Sequence, residues 1–466
     1  MRKTRISTTM AADPEKSMRA VVNECADCDI CRFLMDSSCL MFPELYRLWD
    51  KERETGKPIT SQALRHLANL CNFCGLCPCP PVRASILQAK SEYLERDGVP
   101  PALRLMEDVG LLGRACGAWP QLTNAILGSK GMGGMIKKAT GIHSQRQLPA
   151  FPRRNFLAWA KQQGLDEPPG QTRTARVAYF AGCTATYLCP EVAQAAVAML
   201  QATGAHVWVP PQNCCGMPPL LEGDRRLTLS LVKRNIRRLA RTVGEGFDIV
   251  CSCPTCGYVL REVIREGAYY SDDYQRSVGA SAGELKIPVG TGHRREHGTV
   301  SKSVYGSILK DAGYFSGIDP KMRIAVAENT HDLGRYLLSR FETGNVRTAP
   351  APVEKHMVYY PPCHLREQKI GRPYQHLLER IPGVRLDMIV GDLHCCGMAG
   401  IMGFKKDFHR ASIKIGTPLM EKIESMGPEI LVTDCLSCRL QFNQMSDLPV
   451  MHPLQLLFQA WGNSDD

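Results

Sequence analysis

Two stretches of the chain repeat one pattern of apolar and polar positions. Val177-Ala-Tyr-Phe-Ala-Gly-Cys183 and Met357-Val-Tyr-Tyr-Pro-Pro-Cys363 are short apolar runs closed by Gly or Pro, as buried strands are. Second strands are expected at Val207–Val209 and Leu386–Val390, and third strands at Phe247–Val250 and Ile430–Val432. Helical stretches separate them, and that alternation predicts parallel sheets with right-handed crossovers. In the clearest helix Leu229, Val232, Ile236, Leu239 and Val243 advance by 3 or 4 residues, a core-facing stripe. Arg225, Arg226, Lys233, Arg234, Arg237, Arg238 and Arg241 lie mostly off it, as a solvated face or a dock for an acidic partner. Upstream, Ala63, Leu64, Leu67 and Leu70 predict a helix capped by Ser61. Leu103, Leu105, Met106, Val109, Leu111 and Leu112 predict one short amphipathic helix.

Cysteine gives these patterns chemistry. Each predicted repeat holds a lone cysteine (Cys183, Cys363), then Cys-Cys-Gly (Cys214, Cys215, Gly216; Cys395, Cys396, Gly397), then C-x2-C (Cys253 and Cys256; Cys435 and Cys438). Ten cysteines keep register over an offset of 180 to 182 residues, which marks a duplicated metal site. All fall where a parallel sheet gathers ligands, beyond the carboxyl ends of its strands. Glycine after the adjacent pair permits close backbone approach. Five thiolates per repeat exceed the four that a cubane needs, which suggests an unusual cluster or an exchangeable position. Cys189 and Cys251 have no counterpart across the repeat and are read as non-ligands. Cys116 reads as an apolar cysteine. His394 and His452 read as hydrogen-bonded loop residues or, less simply, as proton relays.

The first hundred residues carry a second motif. Cys25, Cys28 and Cys31, followed by Cys39, and Cys71, Cys74 and Cys77, followed by Cys79, form two C-x2-C-x2-C triplets. Such triplets signal a pair of cubane [4Fe–4S] clusters, with the fourth cysteine of each run ligating the other cluster. On that rule Cys25, Cys28, Cys31 and Cys79 hold one cluster, and Cys71, Cys74, Cys77 and Cys39 the other. Zinc is the alternative for any C-x2-C pair, but zinc sites seldom use overlapping triplets.

Composition narrows the reading. There are 21 cysteines among 466 residues, an odd number, and residues 1–24 lack the apolar core of a secretory signal. Disulfide staples are therefore disfavoured, and a reducing compartment is expected. No stretch reaches the roughly 20 apolar residues of a membrane span. The longest uncharged candidate runs from Ala115 to Ser129 and contains Pro120. The formal charge of +11 favours an acidic partner or an anionic membrane face, and no nucleic-acid-binding signature accompanies it. Ile126 to Ile142 mixes glycines with Lys130, Lys137 and Lys138, and reads either as a lipid- or partner-facing surface or as a linker packed on its own domains. No G-x-G-x-x-G follows a strand, so flavin or NAD must come from another chain.

These residues resemble a known family. Duplicated Cys-Cys-Gly domains behind a two-cluster ferredoxin module are similar to the iron–sulfur subunit of anaerobic glycerol-3-phosphate dehydrogenase and, more distantly, to the catalytic subunits of heterodisulfide reductase. The resemblance includes Arg146-Gln-Leu-Pro149, the loop from Cys395 to Lys406, Val432 to Cys438, and His452-Pro453. It implies a cytoplasmic protein on the inner membrane that passes electrons from a flavoprotein to the quinone pool. It also implies non-cubane [4Fe–4S] clusters in one or both five-cysteine sets. The alternative is disulfide cleavage at those sets. The expected architecture is an α-helical module carrying two clusters (1–98), a connector (99–174), the first α/β Cys-Cys-Gly domain (175–265), a second connector (266–350) and the second such domain (351–466).

Overall fold

The computed structural model describes residues 13–36, 38–129, 131–170, 174–289, 296–344, 346, 349–389 and 394–462. Its centre is a pair of parallel sheets. In the first, β1 (Arg176–Phe180) lies between β2 (His206–Trp208) and β3 (Asp248–Cys251). A hairpin of β4 (Glu284–Val289) and β5 (Glu296–Ser301) follows outside the sheet. The chain then returns as β6 (Thr330–Asp332), which pairs parallel to β3, so the order is β2-β1-β3-β6. In the second sheet β7 (Lys355–Tyr359) lies between β8 (Val384–Met388) and β9 (Ile430–Val432), with β10 (Val450–Met451) outside β9. The two sheets thus repeat one strand order.

Most of the expected strands shift by a residue or two. The second strand of the second repeat starts two residues early, at Val384 rather than Leu386, and Val390 lies outside the described residues. The fourth strand, β6, comes from the stretch read only as a connector. At three residues it is too short to show a period, and pairing with β3 is what makes it a strand.

One apolar core joins the repeats. Val177, Tyr179 and Met357, Tyr359 from the central strands share it with the helices Pro190–Ala202, Leu333–Glu342 and Pro453–Trp461. The helix Arg225–Gly244 buries Leu231, Val232, Ile236 and Leu239 and turns its arginines outward.

The N-terminal residues form helices Pro14–Cys28, Ile30–Leu34, Met41–Thr55, Ser61–Leu70 and Pro80–Asp97. The cap of the fourth is Thr60, whose side chain accepts from Ala63 N–H, and Ser61 is already inside the helix. The apolar stretch after residue 100 makes two helices, Pro101–Glu107 and Val109–Gly117, where one was expected. Asp108 separates them, because its side chain caps the second by accepting from Leu111 N–H. Helices Pro120–Gly128 and Met132–Ala139 follow. No helix among the described residues is long and apolar enough to cross a membrane.

Candidate functional site

Each repeat brings its five cysteines together at the carboxyl ends of three strands. In the first, Cys183 opens the helix after β1, Cys214 and Cys215 follow β2, and Cys253 and Cys256 follow β3. Their sulfurs neighbour one another in the run Cys183, Cys214, Cys215, Cys256, Cys253. Gly182, at φ +73°, makes room: a Cβ there would lie 2.7 Å from the Cys256 sulfur. Asn235 on the long helix holds the loop by accepting from Asn213 N–H at 3.0 Å and donating to the Cys214 carbonyl at 2.9 Å.

The second set is built the same way. Cys363 follows β7, Cys395 and Cys396 follow β8, and Cys435 and Cys438 follow β9. The Cys396 and Cys438 sulfurs are 3.0 Å apart, and Cys363 faces Cys396 and Cys435. Gly397 has φ +85°, and a Cβ on it would sit 2.1 Å from the Ser412 carbonyl oxygen. Its N–H donates to the Cys395 sulfur at 3.3 Å.

Hydrogen bonds with neighbouring cysteines, and then burial, push most of these thiols above the ordinary range, and for Cys363 burial leads. The second cysteine of each adjacent pair behaves oppositely. Hydrogen bonds from Cys214 and Cys256 bring Cys215 down to about 6. Bonds from Cys395 and Cys438 hold Cys396 well below the usual thiol value. Cys435 is lowered too, by a hydrogen bond from Cys438, so each set contains at least one thiol that ionises readily, and the thiolate is the form of cysteine that binds metal. Among the described residues no three His, Cys, Asp or Glu side chains are spaced around a single metal ion.

The N-terminal cysteines meet across their two runs. Cys25 and Cys31 face Cys79, while Cys39 faces Cys71 and Cys77. Cys74 is turned towards Cys363 of the second repeat. Asn72 Nδ2 lies 3.6 Å from the Cys395 sulfur, and Arg83 pairs with Glu367 at 2.8 Å. Lys90, fully enclosed, donates to the carbonyls of Cys71 and Leu221 at 2.8 Å each, which ties the module to the first repeat as well. Cys28 alone of these cysteines is exposed, beside exposed Ile30, Phe33 and Leu34.

A cavity of about 480 Å³ opens between the two five-cysteine sets. Cys183, Cys215, Cys253 and Cys256 reach it from one side, and all five cysteines of the second set from the other. The remaining wall is the connector: Leu105, Met106, Val109, Leu112, Ile126 and Ile136. Sequence reading took Ile126 and Ile136 as part of a lipid- or partner-facing surface or a packed linker, and the others only as an amphipathic helix, because nothing in an isolated amphipathic helix says what its apolar face covers. Cys116, expected as a plain apolar residue, is half-buried and also lines the cavity. His452 is no relay. It caps the last helix by accepting from Leu454 N–H, and burial drives its imidazole down to about 3. Cys251 is buried at the end of β3 and Cys189 ahead of a helix, and neither lines the cavity. His394 accepts from the Tyr360 hydroxyl through its backbone carbonyl.

A family model, the cysteine-rich domain CCG, matches twice, at residues 177–261 and 357–443. The chain carries two CCG domains. Similarity extends beyond them. A subunit of the anaerobic glycerol-3-phosphate dehydrogenase of Escherichia coli (strain K12) is 26% identical over 380 residues, covering 80% of this chain and 81% of that one. A subunit of the CoM/CoB fumarate reductase of Methanothermobacter marburgensis is 26% identical over 313 residues, 65% of this chain and 50% of that one. An uncharacterized iron–sulfur protein of Methanococcus maripaludis is 23% identical over 330 residues, 68% of this chain and 52% of that protein.

Proposed function

We propose that this chain is the iron–sulfur electron-transfer subunit of a membrane-associated respiratory dehydrogenase, passing electrons from a flavoprotein partner to a quinone. The observation that carries the reading is the apolar cavity onto which both cysteine sets open. A cavity with so few polar atoms suits an apolar two-electron acceptor better than a charged metabolite. The donors fit iron–sulfur clusters: they are all sulfur, they converge from three strand ends, and glycines clear the space that Cβ atoms would fill. When bound, such clusters supply one-electron transfer.

The chain's own residues then divide the work. Cys25, Cys28, Cys31 and Cys79 would hold a cubane cluster at the exposed end, where Ile30, Phe33 and Leu34 offer a surface to the flavoprotein. Cys71, Cys74, Cys77 and Cys39 would hold the second, beside Cys363 and Cys395. The sets Cys183, Cys214, Cys215, Cys253, Cys256 and Cys363, Cys395, Cys396, Cys435, Cys438 would hold further [4Fe–4S] clusters next to the acceptor. The expected boundaries at 98, 174, 265 and 350 stand as the proposed division of labour, with β6 completing the first sheet from the second connector.

Membrane contact falls to the helices walling the cavity. Their outer faces expose Leu111, Trp119, Leu122, Met132 and Met135, with Arg114, Lys137 and Lys138 close by. An amphipathic, basic surface of this kind suits the cytoplasmic face of an inner membrane. An acceptor dissolved in the bilayer would enter between them.

A second reading, cleavage of a thiol disulfide, draws on the approach of both sulfur sets to one cavity. One experiment separates the two. The reconstituted chain is reduced anaerobically, then mixed with a water-soluble quinone analogue or with a disulfide. Fast reoxidation by quinone alone supports the first reading. Reoxidation by disulfide alone replaces it with the second.

A further inference from the structure

Arg146 is fully buried, yet among the described residues no carboxylate pairs with it. Its guanidinium donates to Gln441 Oε1 at 2.7 Å and the Leu440 carbonyl at 3.3 Å, approaches the Met398 sulfur at 3.5 Å, and stacks over Phe404. Its Nε has no partner, and no ion pair involves it among the described residues. The other buried arginines are neutralised. Arg323 pairs with Asp311 at 2.8 Å and Arg83 with Glu367 at 2.8 Å. A guanidinium does not escape burial by losing its proton: here burial lowers it only to about 10, so it stays cationic at neutral pH. Removing a charge from water is costly unless an opposite charge compensates. The one anionic group that acts on Arg146 is Cys396.

No cation is among the groups acting most on four cysteines of the first set. The groups acting most on Cys183, Cys214, Cys215 and Cys256 are other cysteines, a threonine hydroxyl and backbone amides. Around the second set, Arg366 acts on Cys363 and Arg146 on Cys396, while burial lowers the neighbouring His364 and leaves it neutral. Thiolate-bound clusters are anionic, and reduction adds another negative charge. A buried cation on one side therefore stabilises the reduced state there.

We propose that Arg146 is the built-in counter-charge of the second Cys-Cys-Gly site, raising the reduction potential of the cluster held there above that of the first, so that electrons collect at the second site. Arg146 acts through that site as a positioning residue. The inference rests on clusters occupying both sets, and an iron-free wild-type chain would sink that reading before this one.

The test is potentiometric titration of the full-length reconstituted chain, followed by electron paramagnetic resonance, for wild type, R146M and R146K. The variants C253S and C435S identify the first-site and second-site signals. R146M is expected to lower the second-site midpoint by at least a tenfold change in the reduction equilibrium, about 59 mV for one electron. The other midpoints stay put, and R146K remains within that margin of wild type. Loss of second-site iron in R146M with full retention in R146K also supports a charge role. Iron-loaded R146M with unchanged midpoints, a shift in the first-site signal or in all signals together, or equal iron loss in both variants would overturn the proposal.

Discussion

Glu107 shows how a single residue reveals more in the fold than in the sequence. It ends the helix Pro101–Glu107, is fully buried, and its carboxyl faces that of Asp224, to which it donates a hydrogen bond when protonated. Burial first, and the facing carboxyls of Asp224 and Glu222 next, push it up to about 9 against an opposing Arg104. The folded chain therefore keeps a proton that the unfolded chain gives up near 4.5. The stability this supports is fully present below the lower value and is lost as pH rises towards the upper one. Each pH unit crossed is worth at most about 1.4 kcal/mol. Glu107→Gln is expected to flatten the fall of Tm between pH 6 and 9, and an unchanged slope would contradict the assignment. Gly397 and Gly216 make a second comparison, since both have positive φ. A Cβ at Gly397 strikes backbone at 2.1 Å, whereas at Gly216 its tightest contact is the Val232 methyl at 3.0 Å, with Thr228 at an ordinary 3.7 Å. Gly397→Ala should cost about 1–3 kcal/mol in backbone strain plus the clash, and more second-site iron than Gly216→Ala costs the first. Equal losses would show that the two loops tolerate a side chain alike. The need for a glycine after each cysteine pair was legible from spacing. The unequal crowding was not, because Ser412 lies fifteen residues further along the chain.

At the scale of elements, repetition was the readable signal. Two sets of three strands and ten cysteines in register predicted the parallel sheets, and the structure differs from that reading mainly at strand ends. What stayed hidden was tertiary. β6 is three residues long, and the connector helices carry an apolar stripe whose inner and outer faces look alike in sequence. In the fold Leu112, Ile126 and Ile136 face the cavity, while Trp119 is 73% and Met135 is 65% exposed. Burying an apolar side chain of this size contributes about 1.5–3 kcal/mol when complete. Replacing Leu122 and Met135 together by Gln should then weaken binding to vesicles containing anionic phospholipid about tenfold, leaving iron content unchanged. Binding that survives the double substitution would move the membrane contact elsewhere.

For the whole molecule, the placement of the N-terminal module matters most. It precedes the first repeat in sequence, yet Asn72, Cys74 and Arg83 touch the second. On the proposed function, a path from the exposed Cys28 end to the cavity would cross the chain order instead of following it. Cysteine spacing groups the thiols in sequence but does not say which group lies beside which. The proposal as a whole requires four cysteine groups that hold four clusters, the two Cys-Cys-Gly sets opening onto one cavity. Iron and acid-labile sulfide per chain, measured after anaerobic reconstitution, test it most directly. The account predicts about sixteen irons with matching sulfide, four for each [4Fe–4S] cluster. Zinc in place of iron, or no more than about eight irons, would contradict it.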